Sequence, residues 1–437
     1  MTDTDTLFAP ASGFGRAAVA VLRISGPAAG DVVQALAGTL PPPRRLSLRT
    51  LCDPADGAEL DRALVAWFPG PGTYTGEDMA ELHLHGGPAV RMGVLAALAR
   101  LPGCRAAGPG AFTRRAVLNG RMDLAEAEAV ADLIDAETEG QRRQALRQLD
   151  GALSRQVAAW RAEAIDCLAA AEAALDFADE GDVDDAGLDA ALFGRAAALR
   201  DAIVAALRDG RRGERLRDGF TVVLAGAPNA GKSTLLNALS RREVAIVSDV
   251  PGTTRDAIEV RLDLGGLPVL LVDTAGLRDT AEPVEAEGIA RTRQRIAGAD
   301  LVLLLAPPDG TPPDVDTGAV PALTILTKAD LFAGSHHAGL AVSAQTGAGL
   351  ETLLDTIQTA AEAGLGAGDA LITRARHRAA LEACVIHLDR LQTGAGGLPE
   401  LAAEDLRMAV RALGEVGGHV GVEDVLDRLF AGFCIGK

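Results

Sequence analysis

The sequence predicts a multidomain α/β plus all-α protein: an N-terminal mixed α/β domain, a helical domain, and an α/β domain built around a phosphate-binding loop inserted between two helical halves. Three observations predict it. The apolar run Thr221-Val222-Val223-Leu224-Ala225 leads through Gly226-Ala227-Pro228-Asn229-Ala230-Gly231-Lys232-Ser233 into a helix-like stretch, Thr234 to Leu239. Strand, glycine loop ending in Gly-Lys-Ser, then helix is the order that wraps a nucleotide's phosphates. Short apolar strands such as 17–24 alternate with Gly and Pro turns near the N-terminus. Apolar residues then recur at steps of three and four on both sides of the loop segment.

Residues 1–119 form the first domain, with one helix expected near Val90–Leu101. The first helical half is 120–216. Leu146, Leu149, Leu153, Val157, Trp160, Ala164, Leu168, Ala171 and Leu175 make one apolar face there; Gly151 loosens the helix, but the stripe passes through it. An acidic stretch, Asp176 to Asp189, breaks the pattern before a second stripe at Leu192, Leu199, Ile203 and Leu207. The loop domain spans 217–365. After Gly364-Leu365-Gly366-Ala367-Gly368 the second helical half, 366–437, resumes with Leu381, Leu388, Leu391, Leu406, Val410, Leu413, Val425, Leu429 and Phe430. Each stripe needs a partner, so the two halves are expected to pack together around the insertion.

At 437 residues the chain has room for two or three domains. No apolar stretch is long enough to span a bilayer, and no presequence precedes Leu7. Cys52, Cys104, Cys167, Cys384 and Cys434 are scattered, against a zinc site or a disulfide framework, so a reducing compartment, the cytoplasm, is expected. A net charge of −18 opposes contact with nucleic-acid phosphates. The basic cluster Arg208, Arg211, Arg212, Arg215 and Arg217 reads as a helix tail and hinge into the inserted domain.

The motifs point to GTP. Backbone N–H groups from Asn229 through Ala230, Gly231, Lys232, Ser233 and Thr234 close around phosphates, Lys232 adds a point charge, and the Ser233 hydroxyl suits Mg²⁺. Asp273-Thr274-Ala275-Gly276 follows the strand Val269–Val272; its carboxylate can hold Mg²⁺ through water, and Gly276 lets a backbone N–H meet the γ-phosphate. In Thr327-Lys328-Ala329-Asp330, Asp330 can accept two hydrogen bonds from guanine, where adenine has no matching donors. Ser343-Ala344 closes the base pocket from the other side. Asn is commoner than Thr at position 327; a hydroxyl can still brace the phosphate loop, so weaker nucleotide binding at most is expected. Between loop and Asp273, Ser248-Asp249-Val250-Pro251-Gly252-Thr253-Thr254 is a switch candidate, with Thr254 the second hydroxyl for Mg²⁺. Leu277 stands where many GTPases carry a water-orienting Gln, so hydrolysis must draw on another group or an ion. Glu282, Glu285 and Glu287 all read as a solvated helix start, and spacing does not choose among them.

Gly-x-Pro-Asn-Ala-Gly-Lys-Ser, Gly-Thr-Thr-Arg-Asp, Asp-Thr-Ala-Gly-Leu-Arg and the final Cys434-Ile435-Gly436-Lys437 resemble the bacterial tRNA modification GTPase MnmE (TrmE) family, from residue 7 to the C-terminus. Leu22–Gly26, Pro71–Asp78 and Phe112–Ala116 match as well. The resemblance implies a Ras-like P-loop GTPase domain and a folate-binding-like N-terminal domain through which the chain forms a homodimer. It implies catalytic roles for Asn229, Lys232 and Glu285, with K⁺ held by Asn229, Ser248, Val250 and Thr253 and water oriented by Glu285. A cation fixed beside the phosphates stabilises the charge that hydrolysis builds. It implies a formyl- or methylene-tetrahydrofolate site at Arg23, Glu81, Arg121 and Lys437, where the family often has Lys at position 121; the two cations are not equivalent. Without the family, Arg23 and Glu81 read as surface residues.

The resemblance also names a partner, the FAD-binding MnmG, in a heterotetramer. The pair would install a carboxymethylaminomethyl or aminomethyl group at carbon 5 of the wobble uridine in certain tRNAs, with FAD and NADH on the partner and the nitrogen from glycine or ammonium. The chain's acidity suits an arrangement in which MnmG supplies much of the tRNA affinity. Cys434 reads equally as a reactive thiol and as part of an anchored tail. His83 and His85 share one face of a strand without visible further ligands, which favours a structural or folate-pocket role. The rival is a ribosome-assembly GTPase switch, whose nucleotide motifs look alike but which usually carries a basic RNA-binding module, absent from this sequence. A third reading is a folate-binding aminomethyltransferase with a regulatory GTPase, active without the partner.

Overall fold

Alternation fixes the first sheet. In β2 (Val19–Ser25) Ala20, Leu22 and Ile24 are buried while Val21 and Arg23 face the other way; in β5 (Met79–His85) Ala80, Leu82 and Leu84 are buried beneath Glu81 and His83. With β1 (Thr6–Pro10), β3 (Ser47–Cys52), β4 (Glu59–Phe68) and β6 (Cys104–Ala106) they form a six-stranded sheet ordered β3-β4-β5-β2-β1-β6. All neighbours are antiparallel except β1 and β6. The buried face packs on α1 (Ala29–Ala37) and α2 (Pro88–Ala99) through Val32, Val33, Leu36, Val94 and Leu98. Each fully buried leucine here contributes about 1.5–3 kcal/mol.

The computed structural model describes residues 5–178, 190–246, 259–273, 293–307, 313, 315–331, 339–366, 370–393, 399–418, 429–430 and 432–436. The chain divides into two compact units, 1–131 with 414–437, and 132–413. The first unit adds α3 (Ala111–Leu118) and most of α4 (Leu124–Asp135) to the sheet. The C-terminal residues Phe430 and Phe433, stacked edge to face at 5.0 Å, bury themselves against Leu124 and Ala127 of α4.

The second unit carries the long helices α5 (Glu139–Leu149), α6 (Ala152–Ala178), α7 (Ala190–Asp218), α10 (Ala375–Thr393) and most of α11 (Pro399–Gly417). The chain turns at Asp150 and Gly151 (φ 76°), so the stripe expected as one helix belongs to two. Periodicity does not register such a break, because apolar residues continue at steps of three and four on either side of it. The register also shifts: α6 buries Leu153, Val157, Trp160, Ala164, Cys167 and Ala171, with Cys167 taking the place expected for Leu168. The Arg208–Arg217 cluster lies on the last turns of α7, without a hinge before Asp218. α7 and α10 are joined by Arg378–Glu214 at 3.0 Å and Arg200–Asp389 at 2.7 Å.

Between these helices in sequence lies a second sheet, ordered β12-β11-β10-β7-β9-β8. Its strands are β7 (Phe220–Gly226), β8 (Glu259–Leu264), β9 (Leu267–Asp273), β10 (Leu301–Ala306), β11 (Ala322–Leu326) and β12 (Leu340–Ala341). Only the β8–β9 hairpin is antiparallel. Val222 and Leu224 face Leu235, Leu236 and Leu239 of α8 (Lys232–Leu239) and Leu353, Ile357 and Ala361 of α9 (Leu350–Leu365). Val223 and Ala225 face the opposite layer, with Val302 and Ile296. Helices on both faces of a mostly parallel sheet place the loops at the carboxyl ends of the strands together, where such sheets take ligands.

Candidate phosphate and base site

β7 is central in its sheet, and the loop that follows it turns straight into α8. Asn229 holds the turn in left-handed backbone, φ 67°, a conformation Asn tolerates better than most residues. The helix cap, Gly231, offers no side chain, so no side chain of the cap accepts from the first N–H groups of α8, which adjoin the loop. Lys232, 7% exposed, donates to the carbonyls of Gly226 at 2.8 Å and Ala227 at 3.1 Å. Burial pushes its pKa down, and the nearby Asp273 carboxylate opposes that shift. Ser233 Oγ donates to Asp273 Oδ2 at 3.2 Å. Asp273 is buried at the end of β9, and its carbonyl accepts from Arg295 at 2.7 Å. A hydroxyl and a carboxylate that converge beneath an uncapped helix start suit a hard cation beside phosphate.

Next to the loop is a cavity of about 250 Å³. Thr327 follows β11 and is 4% exposed; its Oγ1 lies 2.7 Å from the Ala230 carbonyl and 3.3 Å from that of Ala306. Lys328 adopts φ 55°, and Asp330 is positioned by a hydrogen bond from the buried Ser343 hydroxyl. The Ala329 N–H to Val342 carbonyl bond, 3.0 Å, ties the two base segments together. Thus Gly231, Thr234, Thr327, Lys328, Asp330 and Ala344 line one space. Leu235, Leu331 and Val342 line it too, unanticipated from sequence. Leu331 is the instructive one: a leucine directly after Asp330 that remains 69% exposed offers an apolar platform for a flat ring.

In the first unit Arg23 and Glu81 sit directly opposite one another on β2 and β5. Arg23 Nε and Nη2 both donate to Glu81 Oε1, at 3.3 and 3.1 Å, and the other oxygen lies 3.4 Å from His83 Nε2. The guanidinium also covers the rings of Tyr74, at 5.4 Å, and Phe112, at 5.9 Å. Arg121 donates to the Thr73 carbonyl at 3.1 Å, which brings it to the loop that carries Tyr74. His85 points to Asp61, 2.7 Å away, so the two histidines serve different carboxylates. Cys434 is exposed; its carbonyl accepts from Gly110, and Ile435 bridges to Pro109. Ser248, Asp249, Val250, Pro251, Gly252, Thr253, Thr254, Thr274, Ala275, Gly276, Glu285 and Lys437 lie outside the described residues.

The family described as MnmE helical domain matches residues 124–434, and the one described as GTP-binding protein TrmE N-terminus matches residues 6–121. Proteins named tRNA modification GTPase MnmE are similar over the whole chain. The one from Methylobacterium radiotolerans is 83% identical over 441 residues, covering 100% of both chains. That from Methylorubrum populi is 72% identical, over 99% of this chain and 98% of its own. That from Methylobacterium sp. (strain 4-46) is 66% identical, over 99% and 100%. Among solved structures, the G domain of the T. maritima FeoB iron transporter aligns with 32% of this chain and 98% of its own, at 28% identity and a TM-score of 0.26.

Proposed function

The chain belongs to the MnmE (TrmE) family, as a GTP-hydrolysing enzyme acting in tRNA modification, and from that premise we propose that it works as a cytoplasmic homodimer with the FAD-binding MnmG to build the (carboxymethyl)aminomethyl group on carbon 5 of the wobble uridine. Residues 1–119 are assigned to folate binding and dimerisation, 217–365 to GTP hydrolysis, and 120–216 with 366–437 to the helical domain. The observation that carries the reading is the convergence of Lys232, the Ser233–Asp273 pair and the Thr327 brace on one loop.

With GTP in the loop, Lys232 exchanges two carbonyl partners for β- and γ-phosphate oxygens, and its burial strengthens that attraction. Ser233 and Asp273 fit magnesium, with Thr254 as the second hydroxyl. Asn229, exposed at the loop's turn, is the proposed potassium ligand together with Ser248, Val250 and Thr253, and Glu285 orients the water. When bound, the two cations neutralise charge that grows between the β- and γ-phosphates, and a tetrahydrofolate supplies the one-carbon unit. Arg23 and Glu81, half-buried beside Tyr74, and the exposed Arg121 at the Thr73 carbonyl suit a pterin and its charged tail, with Lys437 reaching in. Glu81 would accept ring N–H groups, and Arg23, Arg121 and Lys437 would hold the carboxylates of the tail.

Nucleoside mass spectrometry of tRNA from cells that lack the gene tests this. The modified wobble uridine should vanish, return with the native chain, and stay absent with Lys232→Ala. Intact wobble uridine with accumulating ribosomal precursors would overturn the proposal in favour of an assembly switch.

A further inference from the structure

Position 327 takes its side chain to a point of the base cavity where a single hydrogen-bond donor has two acceptors already waiting. We infer that Thr327 serves the phosphate loop alone and leaves N7 of guanine without a donor, so that base selection in this chain falls on Asp330. The inference rests on the guanine-nucleotide reading of the cavity.

A hydroxyl has one proton. Both partners within reach of Thr327 Oγ1 are carbonyl oxygens, Ala230 at 2.7 Å and Ala306 at 3.3 Å, so the proton is held on the main chain. The Thr327 backbone N–H is also committed, to the Ala306 carbonyl at 2.9 Å. What the residue presents to the cavity is therefore a methyl group and oxygen lone pairs.

Asp330 sets the base's orientation. Its carboxylate, held by Ser343, only accepts, so it selects the edge of guanine that carries N1–H and the exocyclic amine. The five-membered ring, with N7, then faces back toward Gly231 and Thr327, which line the side nearest the phosphate loop. N7 is an acceptor. Lone pair meets lone pair there, and no hydrogen bond forms. An asparagine amide carries two protons, one for the Ala230 carbonyl and one for N7; threonine performs the first task and cannot perform the second.

The test compares GDP with 7-deaza-GDP, whose C7–H replaces N7, by titration calorimetry on the full chain. The native chain should bind the two within about twofold, because no bond is lost. Thr327→Asn should prefer GDP by roughly two- to tenfold, the worth of one neutral hydrogen bond. A native preference for GDP of more than about threefold overturns the inference, as does a Thr327→Asn chain indifferent to the replacement. Asp330→Asn separates the base's orientation from the missing donor. A switch of preference from GDP to XDP supports the orientation. Retained GDP preference overturns both the orientation and the inference, whereas a proper switch combined with strong discrimination against 7-deaza-GDP overturns the inference alone.

Discussion

Lys232 is buried among backbone carbonyls, and burial disfavours its charge. Removing it should therefore cost little in folding and much in turnover. Lys232→Ala is expected to lower GTP hydrolysis by about 10²–10³, the loss typical when one preorganised electrostatic donor goes, while the nucleotide-free melting temperature stays level or rises. Phosphate release and thermal melting check the two halves; a melting temperature that collapses would make Lys232 a structural residue. The thiols divide in a similar way. Cys384 is fully buried and its pKa is pushed up to about 12 by that burial, whereas Cys434 is exposed. At pH 8 iodoacetamide should label Cys434 in the native protein and reach Cys384 only after unfolding. Mass spectrometry of the peptides decides it, and labelling of Cys384 at the native rate of Cys434 would show that the α10 core opens. The placement of such residues was legible where spacing carries it: Lys232 and Ser233 open the helix after β7, Asp273 ends β9, and Thr327 and Asp330 follow β11, and the loops after neighbouring parallel strands meet at one edge of the sheet. Leu331 was not legible, since nothing in a leucine's neighbours says it stays exposed beside a cavity. The Arg23–Glu81 pair depended on register between β2 and β5, which 57 intervening residues do not reveal and only family resemblance suggested.

The start of α5 shows how an element boundary ties one layer to another. Thr138 and Gln141 form a reciprocal capping box, and Gln141 Nε2 also donates to the Arg217 carbonyl at 2.9 Å. Within the same first turn, the Gly140 N–H bonds the Gly266 carbonyl at 2.9 Å, in the turn of the β8–β9 hairpin, and Glu137 pairs with Arg261 of β8 at 3.1 Å. A Cβ at position 140 would lie 2.8 Å from the Gly266 oxygen, a backbone atom that cannot swing aside. Helix propensity favours Ala over Gly by up to about 1 kcal/mol, but overpacking against backbone costs roughly 1–3 kcal/mol. The contact should win. Gly140→Ala is expected to destabilise the chain, read as a lower urea midpoint with an unchanged slope; a raised midpoint would mean that the hairpin yields and the tether is slack. Sequence periodicity shows α5 and the hairpin as separate pieces of secondary structure. The close approach between them is a property of two glycines far apart in the chain, which no local pattern records.

At the scale of the second unit, helices from before and after the loop domain hold each other. α7 and α10 share ion pairs, Gln392 donates to the Phe193 carbonyl at 2.8 Å, and Arg407 of α11 pairs with Glu172 of α6 at 3.0 Å. The apolar stripes made such packing predictable in kind, because each needed a cover; the partners were set by three-dimensional fit. The sheet of the loop domain is attached to this frame at a few polar points, among them Arg215–Asp300 at 2.6 Å and Glu137–Arg261. The hairpin that carries the second of these links runs directly into Asp273 at the phosphate site. Hydrolysis that moves Asp273 therefore has a short covalent route to the helices, through β9 and the Gly266 turn. The expected consequence is a rotation of the loop domain on the helical frame between nucleotide states. Paramagnetic labels introduced through unnatural residues at Ile386, 51% exposed on α10, and Glu351, exposed on α9, should report different distances with GDP and with a transition-state analogue, in labelled chain diluted with unlabelled. If potassium completes the site through Asn229, the shift appears in K⁺ and shrinks in Na⁺. Equal distances in both nucleotide states would eliminate the rotation and leave the polar links as simple fasteners.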